Sequence, residues 1–579
     1  MDDLKIRNAT IVDGSGATRI TGDVAIRDGI LTQVAGKAGP AKRTIDADGR
    51  LVTPGWVDIH THYDGQATWD PYLTPSSWHG ATTVVMGNCG VGFAPAEPSQ
   101  HEWLIELMEG VEDIPGSALA EGIDWSWESF PEYLDALERT PRALDIGTQA
   151  PHGAVRAYVM GERGARNEEA TPDDIHRMSA IVEEALRAGA LGFSSSRTML
   201  HRSLSGEPVP GTFAGHDELV GIGRALGRAG HGVFEIASDF GIGGMQGRFG
   251  DDIDWMSQLS QETGRAVSFA LGQSLRAPSE WREILALTEA AVRGGANIMA
   301  QVAVRPAGML FGFESSFHPF VGHPSYLALA DLPVVERLHR LATREIREKI
   351  LNEQTTLQGR FSATVVQDFD RMFRLGDPPI YEPHPSTSVG AAARGSNRAP
   401  VACLYDLMLE NDGRALVYYP LLNYADFDFG PLYEQLNHPH ALLSLSDGGA
   451  HCGLICDVSS STYLLSYWTR DRERGPKLGL EQAVAMQTRK TAMTYGLADR
   501  GLLAPGLRAD INLIDYERLS IDAPEMVYDL PAGGRRLIQR ANGYDATIVA
   551  GETIFEDGEA TGAMPGKLIR GPQSGIGQP

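Results

Sequence analysis

Several features that would narrow the sequence at once are scarce or missing. Cysteine occurs four times in 579 residues, as Cys89, Cys403, Cys452 and Cys456. That is too few to staple a chain of this size, so a disulfide framework is excluded and a reducing compartment fits. No apolar run approaches the length of a membrane span, and the opening Met1-Asp2-Asp3-Leu4-Lys5 is not a signal peptide, so the chain is read as cytoplasmic. Basic residues are in deficit: 50 Lys and Arg against 75 Asp and Glu give a formal charge of −25. Such a surface repels nucleic acid and anionic membrane and excludes both as partners. No Gly-x-Ser-x-Gly is present, which removes the nucleophile elbow of a serine hydrolase, and Gly221-x-Gly223 lies in a helical pattern and is no dinucleotide fingerprint. The remaining composition, 42% hydrophobic and 22% charged, is ordinary for a globular protein and ample for a large core.

The most informative stretch is His60-Thr61-His62, at the end of the apolar run Leu51 to Ile59. Alternate residues of a strand point the same way, so the two imidazoles project side by side from its tip. Two neutral imidazoles on a rigid element make half of a first-row metal site. Pro54-Gly55 punctuates the start of the strand, and Asp58 and Asp64 flank the pair as carboxylates able to orient it.

The stretch Pro54-Gly55-Trp56-Val57-Asp58-Ile59-His60-Thr61-His62 resembles the first-strand signature of the metal-dependent amidohydrolase superfamily. Gly80-Ala81-Thr82-Thr83-Val84-Val85-Met86-Gly87-Asn88-Cys89-Gly90 is similar to the second strand of its N-acyl-D-amino-acid deacylase (D-aminoacylase) branch. Gly189 to Ser194, Ser446-Asp447-Gly448, Arg500 to Asp510 and Val549 to Glu552 extend the resemblance over nearly the whole chain, least clearly from about 305 to 440. The resemblance implies a (β/α)8 TIM barrel, a C–N amide bond as target, Cys89 as a metal ligand, and Asp447 as both metal ligand and general base. A carboxylate there takes the proton of a metal-activated water and passes it to the leaving amine.

The organisation agrees with that implication. Strands are expected near 56–60, 82–86, 144–149, 190–194, 232–236, 266–270, 297–303 and 441–446, alternating with helical stretches such as 173–188, which begins at Thr171-Pro172-Asp173. Residues 1–53 and 503–579 are both strand-rich, neither large enough for its own core, and are expected to pair into one small β-sandwich around a barrel spanning 54–502. Residues 90–140 and 305–440 exceed normal βα loops and fall on the catalytic face. The second carries a charged helix from Leu332 to Glu353 and an aromatic strip (Tyr418, Tyr419, Tyr424, Phe427, Phe429) that reads either as a substrate lid or as packing of an inserted subdomain. The Gly/Pro/Ser/Gln-rich tail 571–579 is expected to fray.

The sequence departs from the family where strands 5 and 6 normally give two further histidines for a second metal. Gly232 to Asp239 and Ala266 to Gln273 hold none, and a carbamylated lysine bridge is excluded because lysine is absent from 43 to 348. The expected set is therefore His60, His62, Cys89 and Asp447 around one zinc ion rather than the usual pair. Glu235 on strand 5 and His152 after strand 3 are the spare metal or catalytic candidates, and both also read as structural. Arg197, Arg202, Arg276 and Arg305 are candidates to clamp a substrate carboxylate. His451-Cys452 follows strand 8 with no second cysteine pair to complete a zinc knuckle, and is not assigned to the site.

The expected function is zinc-dependent hydrolysis of a small-molecule amide, an N-acyl amino acid of D type by family implication. A cyclic amide such as a hydantoin, an ester or lactone, or a degenerate barrel kept only for binding are the alternatives. Retention of four ligands together weighs against the last, and the sequence is compatible with a homo-oligomer.

Overall fold

The computed structural model describes residues 1–240, 249–357 and 364–575. The chain opens with five strands: β1 (Asp2–Ile11), β2 (Ile20–Arg27), β3 (Ile30–Val34), β4 (Ala41–Asp46) and β5 (Leu51–Pro54). β5 pairs with β1 on one edge and with Ile511–Ile514, from the far end of the chain, on the other. Tyr544–Val549, Glu552–Glu556 and Glu559–Ala560 complete a 9-stranded sheet. The expected sandwich is thus hydrogen-bonded as one sheet. Alternating apolar residues such as Leu4, Ile6, Val24, Val52, Ile511 and Ile548 form its buried cluster.

Gly55 ends this sheet and the chain enters an α/β arrangement. β6 (Trp56–Asp58), β7 (Ala81–Met86) and β8 (Asp145–Thr148) form a parallel 3-stranded sheet. β9 (Ala150–Pro151), β10 (Gly192–Arg197), β11 (Val233–Ser238), β12 (Ala266–Leu271), β13 (Ile298–Val302) and Ala441–Leu443 form a parallel 6-stranded one. Each of the eight expected strands has its counterpart among these. Backbone bonds join the two sheets at both margins: Leu191 N–H donates to Thr148 O at 2.8 Å, and His62 N–H to Gly448 O at 2.7 Å. Burial is near-continuous along these strands, with polar residues such as Thr82, Thr83 and Ser194 to Ser196 buried beside the apolar ones, as a parallel sheet covered on both faces requires.

The intervening helices follow their caps. Pro172–Ala188 starts from Thr171, whose Oγ1 accepts from Asp174 N–H while Asp174 returns the bond. The expected helix from 332 to 353 is instead two, Val334–Leu341 and Arg344–Asn352, because Thr343 caps a fresh N-terminus by accepting from Ile346 N–H. The long insertion has its own antiparallel sheet, β14 (Gly308–Phe311), β15 (Phe373–Arg374) and β16 (Val417–Pro420), over a separate apolar cluster that includes Phe313, Leu404 and Tyr419. Tyr418, Tyr424 and Phe429 are buried in the main core. The aromatic strip is therefore packing and not a lid.

The tail also differs from expectation. Gly571 N–H and Gln573 N–H bond to Gly189 O and Gly496 O, so 571–575 is docked, while 576–579 lies outside the described residues. Among the described residues no helix is long and apolar enough to cross a membrane.

Candidate metal centre

His60 and His62 emerge just beyond β6, at the carboxyl ends of the parallel strands, and Cys89 follows β7. Their ligand atoms all lie within 4.8 Å of one another, and all three side chains are buried. Cys89 Sγ is 3.3 Å from His60 Nε2. Asp447, just past Ala441–Leu443, places Oδ1 3.5 Å from His60 Nε2 and 3.8 Å from His62 Nε2. The structure thus brings the four expected residues together. Cys89, Leu445, Asp447 and His451 all have positive φ, so the turns that carry these side chains hold a strained conformation.

Around these donors sits a second layer of polar groups. Gln301 Oε1 is 2.8 Å from His60 Nδ1. Glu112, the last residue of the helix His101–Glu112, has Oε1 3.3 Å from His62 Nδ1. Glu235 Oε2 accepts from Cys89 N–H at 2.9 Å, while its Oε1 is 3.9 Å from His60 Nδ1. Glu235 therefore supports the Cys89 turn, and it lies outside the three-residue cluster. His451 Nε2 is 3.8 Å from Glu112 Oε2, so the residue left unassigned from sequence belongs to the site wall. Glu112, Gln301 and His201, the last of which lines the cavity beside the donors, carried no sequence signal: one ends a helix in a long loop, one is a buried strand amide, and one follows β10 in an irregular turn.

The electrostatics suit a cation. Burial pushes the Cys89 thiol well above its ordinary value, and Glu235, Glu112 and Asp447 add to it. Burial, then Asp447 and Asp64, raises Glu112 well above the carboxylate range. Burial also lifts Asp58 to about 6, and Asp64 and Glu235 to about 7. His62 is held well below the usual imidazole value by burial and then by His60. Imidazoles, a thiol and crowded acids are the donor set of a divalent metal, which would relieve that burden. His62 Nδ1, Glu112 Oε1 and Glu235 Oε1 are buried without a hydrogen-bond partner, a further sign that the groups are arranged for a charge.

The donors line a cavity of about 320 Å³ whose walls are largely apolar, with Val111, Leu200, Phe240, Leu422, Leu454 and Ile455 among them. None of the four candidate arginines is among its lining residues. Arg197 is engaged with Ala214 O and Asp252, and Arg202 with Met199 O and Gly206 O. Arg305 is buried against Asp457 and stacked over Tyr381 at 3.7 Å. Arg276 donates its backbone N–H to Ser274 Oγ, and among the described residues its side chain has no hydrogen-bond or ion-pair partner. Nearness to a strand end does not say which way a long side chain turns. His152 is also elsewhere, held between Ser195 Oγ at 2.8 Å and Glu218 Oε1 at 3.1 Å.

Comparison with known proteins gives a consistent picture. The profile of the Amidohydrolase family matches residues 43–555. An N-acyl-D-aspartate deacylase of Alcaligenes xylosoxydans xylosoxydans is 26% identical, over 98% of this chain and 95% of that protein. The structure of a D-aminoacylase with a binuclear metal center aligns at TM-score 0.64 and 23% identity, covering 98% of this chain and 100% of that one. An N-acyl-D-glutamate deacylase from Bordetella bronchiseptica, complexed with zinc and a phosphonate inhibitor, aligns at TM-score 0.64 and 21% identity, covering 98% of this chain and 99% of that one.

Proposed function

Because the chain belongs to the Amidohydrolase family and is a metal-dependent hydrolase of C–N amide bonds, we propose that it deacylates N-acyl amino acids, of D type, with one zinc ion. The observation that carries the reading is the convergence of His60, His62 and Cys89 within 4.8 Å, with Asp447 beside both histidines, in the wall of a largely apolar cavity. The deacylase names of the full-length relatives support the substrate class.

His60, His62, Cys89 and Asp447 would hold the ion. A zinc ion there supplies Lewis acidity, polarising the scissile carbonyl and making a water acidic enough to attack near neutral pH. Asp447 takes the proton of the attacking water at its carboxylate and returns it to the leaving nitrogen. The largely apolar wall receives an apolar part of the substrate.

One ion is preferred to two because β11 and β12 offer Glu235 and Ser268 and no histidine, Ser268 is bonded to Gln301, and a single cluster of at least three ligand atoms exists among the described residues. We read the two parallel sheets as a closed (β/α)8 barrel over 54–502, and 1–53 with 503–579 as the companion β domain.

Two measurements test the reading. Elemental analysis of the purified chain should give one tightly held zinc. The metal-replete enzyme should turn over N-acyl-D-amino acids in preference to N-acyl-L-amino acids, hydantoins and lactones. A metal-free active protein, or turnover confined to the cyclic substrates, would sink it.

A further inference from the structure

We infer that Gln301 is a positioning residue that fixes the proton of His60 on Nδ1 and so keeps its Nε2 lone pair free to ligate. The inference rests on the metal reading above. Gln301 is fully buried on β13, and every hydrogen-bonding direction of its amide is engaged except one N–H. Its Oε1 accepts from Ser444 Oγ at 2.6 Å and lies 2.8 Å from His60 Nδ1, while its Nε2 donates to Ser268 Oγ at 2.9 Å. Ser268 is on β12, adjacent to β13, and Ser444 follows Ala441–Leu443 on the other side, with its backbone N–H bonded to Val302 O at 3.1 Å. Three neighbouring strands thus aim one carbonyl oxygen at one ring nitrogen.

A carbonyl oxygen cannot donate, so Nδ1 of His60 carries the proton. The other nitrogen is then an acceptor, and it is the one facing Cys89 Sγ at 3.3 Å and Asp447 Oδ1 at 3.5 Å. The reversed amide would press its NH₂ against Nδ1 and drive the ring proton to Nε2, toward the other donors, and His60 could not ligate. Ser444 and Ser268 grip the amide from both sides, and with Oε1 toward the ring each hydroxyl has its partner. An acceptor behind a ligating histidine fixes its tautomer and orientation, and losing one typically weakens metal binding about 10–100-fold.

The experiment compares the full-length wild type with Gln301→Leu and Gln301→Glu. Zinc affinity is read by competition with a chromophoric chelator, and ligand geometry by the visible spectrum of the cobalt(II)-loaded proteins. Gln301→Leu keeps the bulk but removes the acceptor, and should bind zinc about 10–100-fold more weakly with an altered cobalt spectrum. Gln301→Glu restores an acceptor and should recover most of the affinity and the wild-type spectrum. If Gln301→Leu fails to fold, Ser444→Ala, which removes one of the two hydroxyls that hold the amide, should show a smaller loss in the same direction. Wild-type affinity and spectrum in the folded Leu variant, or a Glu variant as weak as Leu, would overturn the inference. A wild type that binds no zinc would instead overturn the metal reading, and this inference with it.

Discussion

Glu112 Oε1 and His62 Nδ1 face each other at 3.3 Å, both buried and neither with a hydrogen-bond partner. The two residues come from different places: His62 from the end of β6, Glu112 from the last turn of a helix in the loop after β7. The loop therefore reaches under the cavity wall to the back of a donor. Glu112→Ala should weaken zinc binding by about 10–100-fold, while Glu112→Gln, which keeps an acceptor, should lose less. Equal affinity in Glu112→Ala and wild type would show that the contact is idle.

Asp447 is the proton carrier in the proposed reaction. Asp447→Asn keeps its shape and its place on a positive-φ turn, so the variant should fold. Turnover should fall by at least about 10²–10⁴-fold on the preferred amide. Metal content is measured on the same samples, because loss of the ion would mimic loss of the base. A zinc-replete variant with near wild-type turnover would remove Asp447 from the mechanism.

Stripping the ion should lower the melting temperature. A ligand that binds only the folded state stabilises it by RT ln(1 + [L]/Kd), about 2.7 kcal/mol at a hundredfold excess over Kd. Chelator treatment followed by calorimetry should show the drop, and zinc should reverse it. Magnesium, which prefers an oxygen-only octahedral site, should not. An unchanged transition after verified metal loss would contradict a site assembled from His60, His62 and Cys89.

Gly87 precedes Cys89 by two residues, with φ +76. A Cβ there would lie 2.3 Å from the backbone oxygen of Gln149, which cannot swing aside. Gly87→Ala therefore combines left-handed strain with a backbone clash and should cost at least about 1–3 kcal/mol. Thermal denaturation measures the loss, and metal binding should weaken in parallel because the Cys89 turn is displaced.

Glu218 gives a pH-dependent test away from the metal. Burial would raise its pKa, but hydrogen bonds and charge from His152 and Arg156 outweigh it and hold the carboxyl at about 2, against an ordinary 4.5. A depressed folded pKa adds stability that is fully present above the unfolded value and is lost as pH falls from about 4.5 to 2. The contribution is on the order of 3 kcal/mol. Urea midpoints should fall more steeply with acid in wild type than in Glu218→Gln. Parallel curves would show that the pairing adds nothing.

The alternating strands and the pair His60 and His62 were legible because each lies in a short apolar run closed by turn residues, where one strand tip dictates direction, whereas Cys89 and Asp447 were implied by the family resemblance. Glu112 and Gln301 were neither. A Glu ending an amphipathic helix and a Gln inside a strand look alike whether they face water or a buried imidazole, and only the packing of separate segments decides. The arginines failed for a related reason. Arg197 and Arg305 sit at strand ends as expected, but flexible side chains turned to Asp252 and Asp457 instead of the cavity.

The strand Leu51–Pro54 has its two partners on opposite sides of the chain's history. β1 is made before it, but Ile511–Ile514 is translated about 460 residues later. At about 5–20 residues per second, that edge stays open for roughly 20–90 s after it leaves the ribosome. An unpaired edge of buried-type residues is a template for foreign strands. Biosynthesis thus imposes a period in which nascent copies of this chain must be kept apart, and that period ends when Ile511–Ile514 docks.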